Sequence, residues 1–451
     1  MTSTKFLVRF SMACMAFVPT LGFSALTVVP EPPQLAANGY VLIDFHTGKV
    51  LVEHNAHQKL NPASLTKLMT SYVAGQEMKR GNIHADDQVR ISNNAWAKKF
   101  PDSSKMFIEV GTYVNLMDLY RGLIVQSGND ASVAIAEHVA GSEGAFVSLM
   151  NSWAQQLGMN NSSFANPHGL DNPALYSTPY DIALLGRAII RDLPEIYPLY
   201  SELSFTYNGI TQHNRNGLLR DRSMNVDGMK TGYTSGAGYS LASSATSGEM
   251  RLISVVMGSK SVKSREAESK QLLSYGFRFY ETVTPHQKDT VIQNQRLWYG
   301  DKNEVALGSA DTVYLTLPRS DVKKLNAVIQ LDQNLEAPIA KGDVVGSIFY
   351  YIDEEKVGEA KLVSQESVEQ GGIFKRLMDW FKLLFSGWFD RSLWSITLID
   401  SILTTNWDFD LSLWFDDQHT SQTHTRLTRC SKNSGMVSAI RNNDEERQKW
   451  N

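Results

Sequence analysis

Cysteine is almost missing from this chain of 451 residues: it occurs twice, as Cys14 and Cys430, and the body between them has none. Two thiols near opposite ends cannot form a disulfide framework, and a cysteine-free body argues against thiol catalysis and cysteine-ligated zinc there. Basic charge is not in excess either, since 43 Lys and Arg face 47 Asp and Glu, for a net charge of −4. Without a Lys/Arg-rich stripe, we expect no nucleic-acid partner. The histidines show no spacing typical of a metal site, so no metal or other cofactor is expected.

Long apolar runs are also scarce. The first is short, covering residues 10–23, and it follows Lys5 and Arg9 and precedes small residues and a proline-rich segment. This order predicts a secretory signal peptide over residues 1–25 and therefore export. An uncleaved anchor is the alternative, but the run is shorter than the ~20 residues of a span and contains Pro19. A lipoprotein signal at Cys14 is disfavoured because no Leu stands three residues before it.

The hydrophobic share of 42% is ordinary for a chain with a sizeable core. Alternating apolar runs predict strands and 3.6-residue periodicity predicts helices. The resulting order is a strand hairpin, helices, then strands and a last helix, which is an α+β pattern. The predicted elements are strands Tyr40–Phe45 and Lys49–Glu53, helices Pro62–Lys79 and Ala131–Val139, an extended run Met224–Thr234, a hairpin of Tyr239–Ala245 with Arg251–Met257, and a helix Arg265–Tyr280.

The pattern changes after about Thr284. Short alternating runs separated by Gly, Pro and Asp predict a small all-β domain over residues 285–370, after a first domain over residues 33–284. The predicted strands are Val313–Leu317, Ala327–Leu331, Val344–Tyr351 and Lys356–Val363.

Residues 371–389 form a third kind of segment. Four of its polar residues are spaced four, three and four positions apart, at Lys375, Asp379, Lys382 and Ser386, so they share one helical face. Apolar and aromatic residues occupy most of the other positions. So wide an apolar face with Trp and basic residues favours a helix lying in a membrane interface; a helix docked on the protein core is the alternative. The tail, residues 390–451, has no assigned role, and we expect it to be poorly ordered.

Three short motifs carry the chemistry. Ser64-Leu-Thr-Lys67 places a hydroxyl and an amine on one helical face, where a partly desolvated lysine can act as the base that activates a serine nucleophile. Ser127-Gly-Asn129 precedes the second predicted helix, where by itself it is an ordinary helix start. Lys230-Thr-Gly232 ends an extended run; Thr231 can donate to a carboxylate, and Gly232 allows close approach of a backbone. Each motif is weak alone, but their order is that of penicillin-recognising serine acyl-enzymes.

Longer stretches around these motifs make the resemblance specific. They are Asn61–Lys67, Gln126–Asp130, Asn214–Leu218, Val226–Gly232 and Ser264–Lys270. The chain resembles the serine-type D-Ala-D-Ala carboxypeptidases, the low-molecular-mass penicillin-binding proteins, over residues 33–389. The resemblance implies a penicillin-binding, transpeptidase-like domain of helices on an antiparallel sheet, then a small all-β domain and an amphipathic membrane-anchoring helix. It also implies removal of the last D-alanine from peptidoglycan pentapeptides, inhibition by β-lactams, and a location on the periplasmic side of the inner membrane.

The same resemblance implies a role for each site residue. Ser64 becomes acylated, Lys67 accepts its proton, and Ser127 relays a proton to the leaving amine with Lys230 nearby. Asn129 is implied to contact the substrate amide, and Thr231 and Arg265 to contact the terminal carboxylate. The backbone amides of Ser64 and of Tyr233, which follows Gly232, are implied to form the oxyanion hole. Arg215 is implied to lie near the site, with a structural salt bridge as an equal alternative, and His168 is expected to be structural.

The sequence departs from its best-known relatives at Tyr233, where they carry His. A backbone role survives this change, whereas a role for an imidazole does not.

Three other functions stay open. A class A β-lactamase would add a glutamate in an E-x-x-L-N context, which Glu137, Glu143, Glu195 and Glu202 all lack. A transpeptidase or cross-link endopeptidase would use the same acyl-enzyme. A catalytically weak factor that only binds penicillin or pentapeptides is disfavoured by the intact set of Ser64, Lys67 and Lys230.

Overall fold

The structure is a computed structural model that describes residues 29–384. The expected signal peptide, the end of the amphipathic segment and the tail over residues 390–451 lie outside the described residues.

The first part of the described chain mixes helices with antiparallel strands. In chain order its elements are β1 (Gly39–Asp44), β2 (Val50–His54), α1 (Thr66–Lys79), β3 (Gln88–Arg90), β4 (Tyr113–Asn115), α2 (Leu116–Ile124), α3 (Asn129–Ala140), α4 (Glu143–Gln156), α5 (Pro179–Asp192), β5 (Ser204–Tyr207), β6 (Ile210–His213), β7 (Asn225–Thr234), β8 (Gly238–Ser247), β9 (Met250–Ser259) and α6 (Val262–Phe279). Short 3₁₀ turns connect some of them, including Ala63–Leu65 directly before α1.

The second part contains strands. They are β10 (Tyr280–Val283), β11 (Val291–Trp298), β12 (Glu304–Ser309), β13 (Leu315–Pro318), β14 (Leu325–Leu331), β15 (Leu335–Glu336), β16 (Val344–Ile352) and β17 (Glu355–Ser364). Their main sheet has the order β14-β16-β17-β12-β11-β15 and its own apolar core. A helix over residues 373–384, the C-terminal helix, follows.

The central sheet of the first part has the order β2-β1-β9-β8-β7 and is antiparallel. All six residues of β1 are buried, because successive side chains of a strand point to opposite faces and both faces of this sheet are covered. Val41 and Ile43 belong to the core shared with α1 to α5, whereas Tyr40 and Leu42 pack in the core beneath α6. The α+β prediction and the order of its elements are therefore confirmed.

Local signals explain where several helices begin. Thr178 caps α5 and is followed by Pro179 at the first helical position, where proline loses no hydrogen bond. Ser261 caps α6 in a capping box with Ser264, so this helix starts three residues before the predicted Arg265. The first predicted helix ends at Lys79 as expected, but its opening turn is 3₁₀ and α1 proper begins at Thr66.

Polar contacts join the two parts of the chain. Thr282 donates to the buried carboxylate of Asp44 at 2.6 Å, and the hydroxyls of Thr47 and Thr316 lie 2.8 Å apart. The ring of His46 stacks on Tyr314 at 4.2 Å.

The C-terminal helix contacts the β-rich part through a polar residue. Asp379 is completely buried and accepts hydrogen bonds from Arg296 at 3.0 Å, Lys375 at 2.6 Å and the backbone N–H of Tyr299 at 3.1 Å. The apolar residues stay outside, with exposed fractions between 44% and 87% for Ile373, Phe374, Leu377, Met378, Trp380 and Phe381. A helix docked on the core would bury this face. No described helix is long and apolar enough to cross a membrane.

Candidate active site

Ser64 lies in the 3₁₀ turn that leads into α1. Ala63 before it has a positive φ of 47°, a conformation that is strained for a residue with a Cβ and that is common at functional sites. The Asn61 side chain supports the turn by accepting the N–H of Ala63 at 2.8 Å. This turn brings Lys67, in the first turn of α1, to 3.2 Å between its Nζ and the Ser64 Oγ. The spacing of three residues thus produces the contact that the sequence predicts.

Lys67 is a buried lysine with good acceptors and no ion-pair partner in the described chain. Its Nζ donates to Asn129 Oδ1 at 2.7 Å and to the backbone carbonyl of His168. Burial, and then the charge of Arg215, lower the pKa of Lys67 to about 7 against an opposing effect of Asp130. A large fraction of Lys67 is therefore neutral near pH 7, as a general base must be.

The Ser127-Gly-Asn129 segment forms the tight entry to α3. Ser127 has a φ of +61°, Gly128 is the N-cap and makes no side-chain cap, and Asn129 is the first helical residue. The segment is therefore not an ordinary serine cap. The Ser127 Oγ is buried and has no hydrogen-bond partner within residues 29–384, so it is available to a ligand.

Lys230-Thr-Gly232 lies on β7, which packs against the Ser64 turn. A Cβ at Gly232 would lie 3.0 Å from the carbonyl oxygen of Pro62 and 3.3 Å from Leu65 Cγ. Glycine at this position therefore permits close contact between the strand and the turn that contains Ser64. Burial lowers the pKa of Lys230 well below its usual value, and the charges of Lys67, Arg215 and Arg265 act in the same direction.

Two arginines face the site without a carboxylate partner among the described residues. Arg265, in the first turn of α6, donates to the carbonyls of Gly232 at 3.5 Å and Arg215 at 3.3 Å, and its Nε has no partner there. Arg215 donates to Ser104 Oγ at 2.7 Å, and the salt bridge considered for it is not seen in this part of the chain. Cations left unpaired in this way favour an anionic ligand.

A cavity of about 610 Å³ unites these elements. Its wall contains seven of the nine predicted site residues, namely Ser64, Ser127, Asn129, Thr231, Gly232, Tyr233 and Arg265, while Lys67 and Lys230 are buried. The side chain of Tyr233 is 52% exposed and stacks on Tyr239 at 4.4 Å. His168 contributes a carbonyl, and its ring stays neutral because burial, and then the charge of Lys67, lower its pKa to about 3.

Ser103 and Ser104 are contacts that sequence reasoning missed. Ser103 Oγ accepts from Asn129 Nδ2 at 2.8 Å, and the carbonyl of Ser104 accepts the N–H of Asn129 at 2.9 Å. Both line the cavity. Nothing in their local sequence is a motif, and they lie 26 and 25 residues before Asn129, so no spacing rule could have indicated them.

Comparison with known proteins gives concordant matches. The family model described as D-alanyl-D-alanine carboxypeptidase matches residues 26–261, and the one described as penicillin-binding protein 5, C-terminal domain, matches residues 280–370. The chain is 50% identical over 360 residues to the D-alanyl-D-alanine carboxypeptidase DacA of Haemophilus influenzae, which covers 79% of this chain and 92% of that protein. It is 48% identical over 377 residues to DacC of Escherichia coli, covering 83% and 94%.

A solved structure is similar throughout its length. The crystal structure of penicillin binding protein 5 from Haemophilus influenzae matches with a TM-score of 0.70 and 50% identity, over 76% of this chain and all of that one.

Proposed function

The chain belongs to the D-alanyl-D-alanine carboxypeptidase family, and we propose that it removes the terminal D-alanine of peptidoglycan stem pentapeptides through an acyl-enzyme on Ser64. The enzyme is a serine hydrolase of this family, with a transpeptidase-like domain followed by an all-β domain. The observation that carries the proposal is the contact of Ser64 with a buried lysine whose pKa is about 7, at the wall of a cavity that also holds unpaired arginines.

Acylation begins with Lys67. In its neutral form the amine accepts the proton of the Ser64 hydroxyl, and Oγ attacks the carbonyl carbon between the two D-alanines. The backbone N–H groups of Ser64 and Tyr233 donate to the oxyanion that develops. The tetrahedral intermediate collapses to a Ser64 ester when the C–N bond breaks.

The leaving D-alanine needs a proton on its amine. Ser127 is suited to relay the proton that Lys67 took from Ser64, because its buried Oγ has no partner in the described chain and lines the same cavity as Ser64. This transfer leaves Lys67 neutral again. Lys230 lies behind this wall, where burial lowers its pKa well below the usual value and so favours the neutral amine. Water then attacks the ester carbonyl while Lys67 accepts a proton from it. The bond between the acyl carbon and Ser64 Oγ breaks, the proton returns from Lys67 to Oγ, and the shortened peptide leaves.

Substrate orientation depends on the polar wall. Thr231 and Arg265 bind the terminal carboxylate, which supplies the anion that the unpaired guanidinium lacks. Asn129 orients the substrate amide through Nδ2, since its Oδ1 is occupied by Lys67.

Two measurements on the full chain test this function. A fluorescent penicillin should form a covalent adduct with the protein and none with Ser64→Ala, and a peptide ending in D-Ala-D-Ala should release D-alanine. An adduct without D-alanine release would favour a weak penicillin- or pentapeptide-binding factor. Cleavage of cross-linked dimers at a similar rate would favour the endopeptidase alternative.

The location is part of the same proposal. Residues 1–25 direct export and are removed, and residues 373–389 hold the enzyme peripherally on the periplasmic side of the inner membrane. The exposed apolar side of the C-terminal helix supports this, since Trp and Leu/Phe side chains beside basic residues fit a lipid interface. Deleting residues 373–389 should release the exported protein from membranes; retention on the membrane would contradict the proposal.

The domain bounds of 33–284 and 285–370 stay predictions.

A further inference from the structure

The loop over residues 100–108 crosses one side of the active-site cavity and is held tightly at its base. The buried carboxylate of Asp130 accepts the backbone N–H groups of Met106 at 2.8 Å, Phe107 at 2.8 Å and Ile108 at 3.2 Å. Lys105 Nζ donates to the carbonyls of Phe100 at 2.9 Å and Pro101 at 2.8 Å. The loop is therefore anchored to the start of α3, next to Asn129.

Ser103 binds the Asn129 amide on the side opposite Lys67. Its Oγ accepts from Asn129 Nδ2 at 2.8 Å, while Asn129 Oδ1 accepts from Lys67 at 2.7 Å. A flipped amide would place an NH₂ donor against the Lys67 ammonium and its oxygen beside Ser103. Lys67 therefore sets this orientation, since the Ser103 hydroxyl could serve either one. The Ser103 contact holds the amide in place, with the second hydrogen of Nδ2 free for substrate.

Ser104 acts on a second charged group. Its Oγ accepts from Arg215 Nη1 at 2.7 Å, and Arg215 is otherwise an exposed residue without a carboxylate partner in the described chain. A long exposed arginine without a partner is free to turn into solvent. The Ser104 hydroxyl keeps the guanidinium over the site, where its charge acts on Lys67 and Lys230.

We propose that Ser103 and Ser104 are positioning residues of the acyl-transfer reaction, Ser103 by holding the Asn129 amide in place and Ser104 by holding the Arg215 guanidinium over the nucleophile. This inference rests on the function proposed above. In this proposal the loop over residues 100–108 positions Asn129 and Arg215 in addition to lining the cavity. It also explains why the Asp130 and Lys105 contacts restrain a loop that carries two short hydroxyl side chains.

Ser104→Ala tests the electrostatic part through the pH profile of acylation. The charged groups that act on the pKa of Lys67 are Arg215 from the loop after β6 and Asp130 from α3. Lys230 from β7 is in turn affected by Lys67, and His168, in the loop before α5, stays neutral. Of these only Arg215 is bound by Ser104, so its release should move the apparent pKa of the acylation rate upward by about half a pH unit. Ser104→Thr keeps a hydroxyl and should restore the wild-type profile. A Ser104→Ala profile that overlays the wild type would overturn this part.

Ser103→Ala tests the amide orientation. Acylation by a fluorescent penicillin and kcat/KM on a D-Ala-D-Ala peptide should both fall about tenfold, because the bound geometry is no longer favoured. Ser103→Thr should recover most of the rate. Rates equal to the wild type in Ser103→Ala, or an equal loss in Ser103→Thr, would overturn this part.

Ser92→Ala is the matched control, because Ser92 also stabilises a loop, through the N–H groups of Asn94 and Ala95, away from the cavity. It should leave the rates and the pH profile unchanged, and thermal unfolding of all variants identifies any misfolded protein. Failure of the wild-type protein to form an adduct would instead overturn the proposed function. A normal wild type with unaffected serine variants would overturn only the present inference.

Discussion

Lys67 Nζ lies 3.2 Å from Ser64 Oγ, although the lysine is among the most deeply buried polar residues of the described chain. Burial lowers its pKa to about 7, with Arg215 assisting. A lysine at its ordinary pKa near 10.4 would be almost wholly protonated at neutral pH and could not accept a proton. The same burial that destabilises the charged amine therefore leaves much of it neutral and able to accept a proton.

Acylation should accordingly depend on pH through this group. Below about pH 7 Lys67 is protonated and the rate should fall about tenfold for each pH unit; above it the amine is neutral and the rate should level off. The rate of adduct formation with fluorescent penicillin between pH 5.5 and 9 measures this. Lys67→Arg, which stays charged, should lose at least about a thousandfold at all pH values. A rate that still rises steeply at pH 9 would contradict the assignment.

Tyr233 predicts a simple pH profile for hydrolysis of the acyl-enzyme. His168 stays neutral because its pKa is lowered to about 3, and position 233 carries a tyrosine and not a histidine. We therefore expect no change in the deacylation rate near neutral pH that reports the titration of an imidazole. Tyr233→His should introduce a pH-dependent change in the deacylation rate, centred at or below about pH 6.5. The lifetime of the penicilloyl adduct as a function of pH is the measurement, and Tyr233→Phe is the control. Identical profiles for the His and Phe variants would show that this position does not influence deacylation.

Arg265 should control recognition of the substrate carboxylate. Arg265→Gln removes an unpaired guanidinium from the cavity wall, and KM for a D-Ala-D-Ala peptide should rise about 10- to 100-fold. The same change should matter little for a peptide with an amidated C-terminus. Arg278→Gln, at the other end of α6, is the control and should have no effect. Equal losses for the acid and the amide would refute a carboxylate contact.

Gly232 should be required for the close packing of β7 against the 3₁₀ turn that contains Ser64. A Cβ there would meet the Pro62 carbonyl at 3.0 Å, so Gly232→Ala should displace the strand and slow acylation about tenfold or more. Gly236→Ala, in the same hairpin, meets nothing closer than 3.9 Å and serves as the control. Stopped-flow acylation rates compare the two. Wild-type rates in Gly232→Ala would mean that the turn adapts to the added methyl group.

Asp379 should hold the C-terminal helix in place without binding lipid itself. Asp379→Ala leaves Arg296 and the Tyr299 N–H without their acceptor, so backbone hydrogen exchange at Tyr299 and in the helix should accelerate. Sedimentation with vesicles of anionic and neutral phospholipids should be retained, because the exposed apolar side chains are unchanged. Trp380→Glu should show the converse, with normal exchange at Tyr299 and weakened vesicle binding. Loss of vesicle binding in Asp379→Ala alone would assign the interaction to the carboxylate.

Much of the fold follows from local pattern. The hairpin of β1 and β2, the strands β7 to β9 and the helices around the motifs are confirmed, because their apolar periodicity is set by residues close in sequence. Strands β11 and β12 were not predicted. The half-buried β11 reads VIQNQRLW, so its polar residues obscure the alternation on which strand prediction relies.

The sequence by itself was enough to predict the contact between Ser64 and Lys67. Ser64 and Lys67 are three residues apart, and helical geometry alone brings them together. The order of the three motifs likewise indicated the family, and the matching family model spans residues 26–261, which contain all three motifs.

Only the tertiary structure decided what surrounds that pair. The contacts of Asn129 with Ser103, of Arg215 with Ser104 and of Asp379 with Arg296 join residues 26, 111 and 83 positions apart. The lowered pKa of Lys67 also depends on burial by distant elements. Periodicity and spacing describe near neighbours along the chain, whereas desolvation and long-range hydrogen bonds arise only when separate elements pack together.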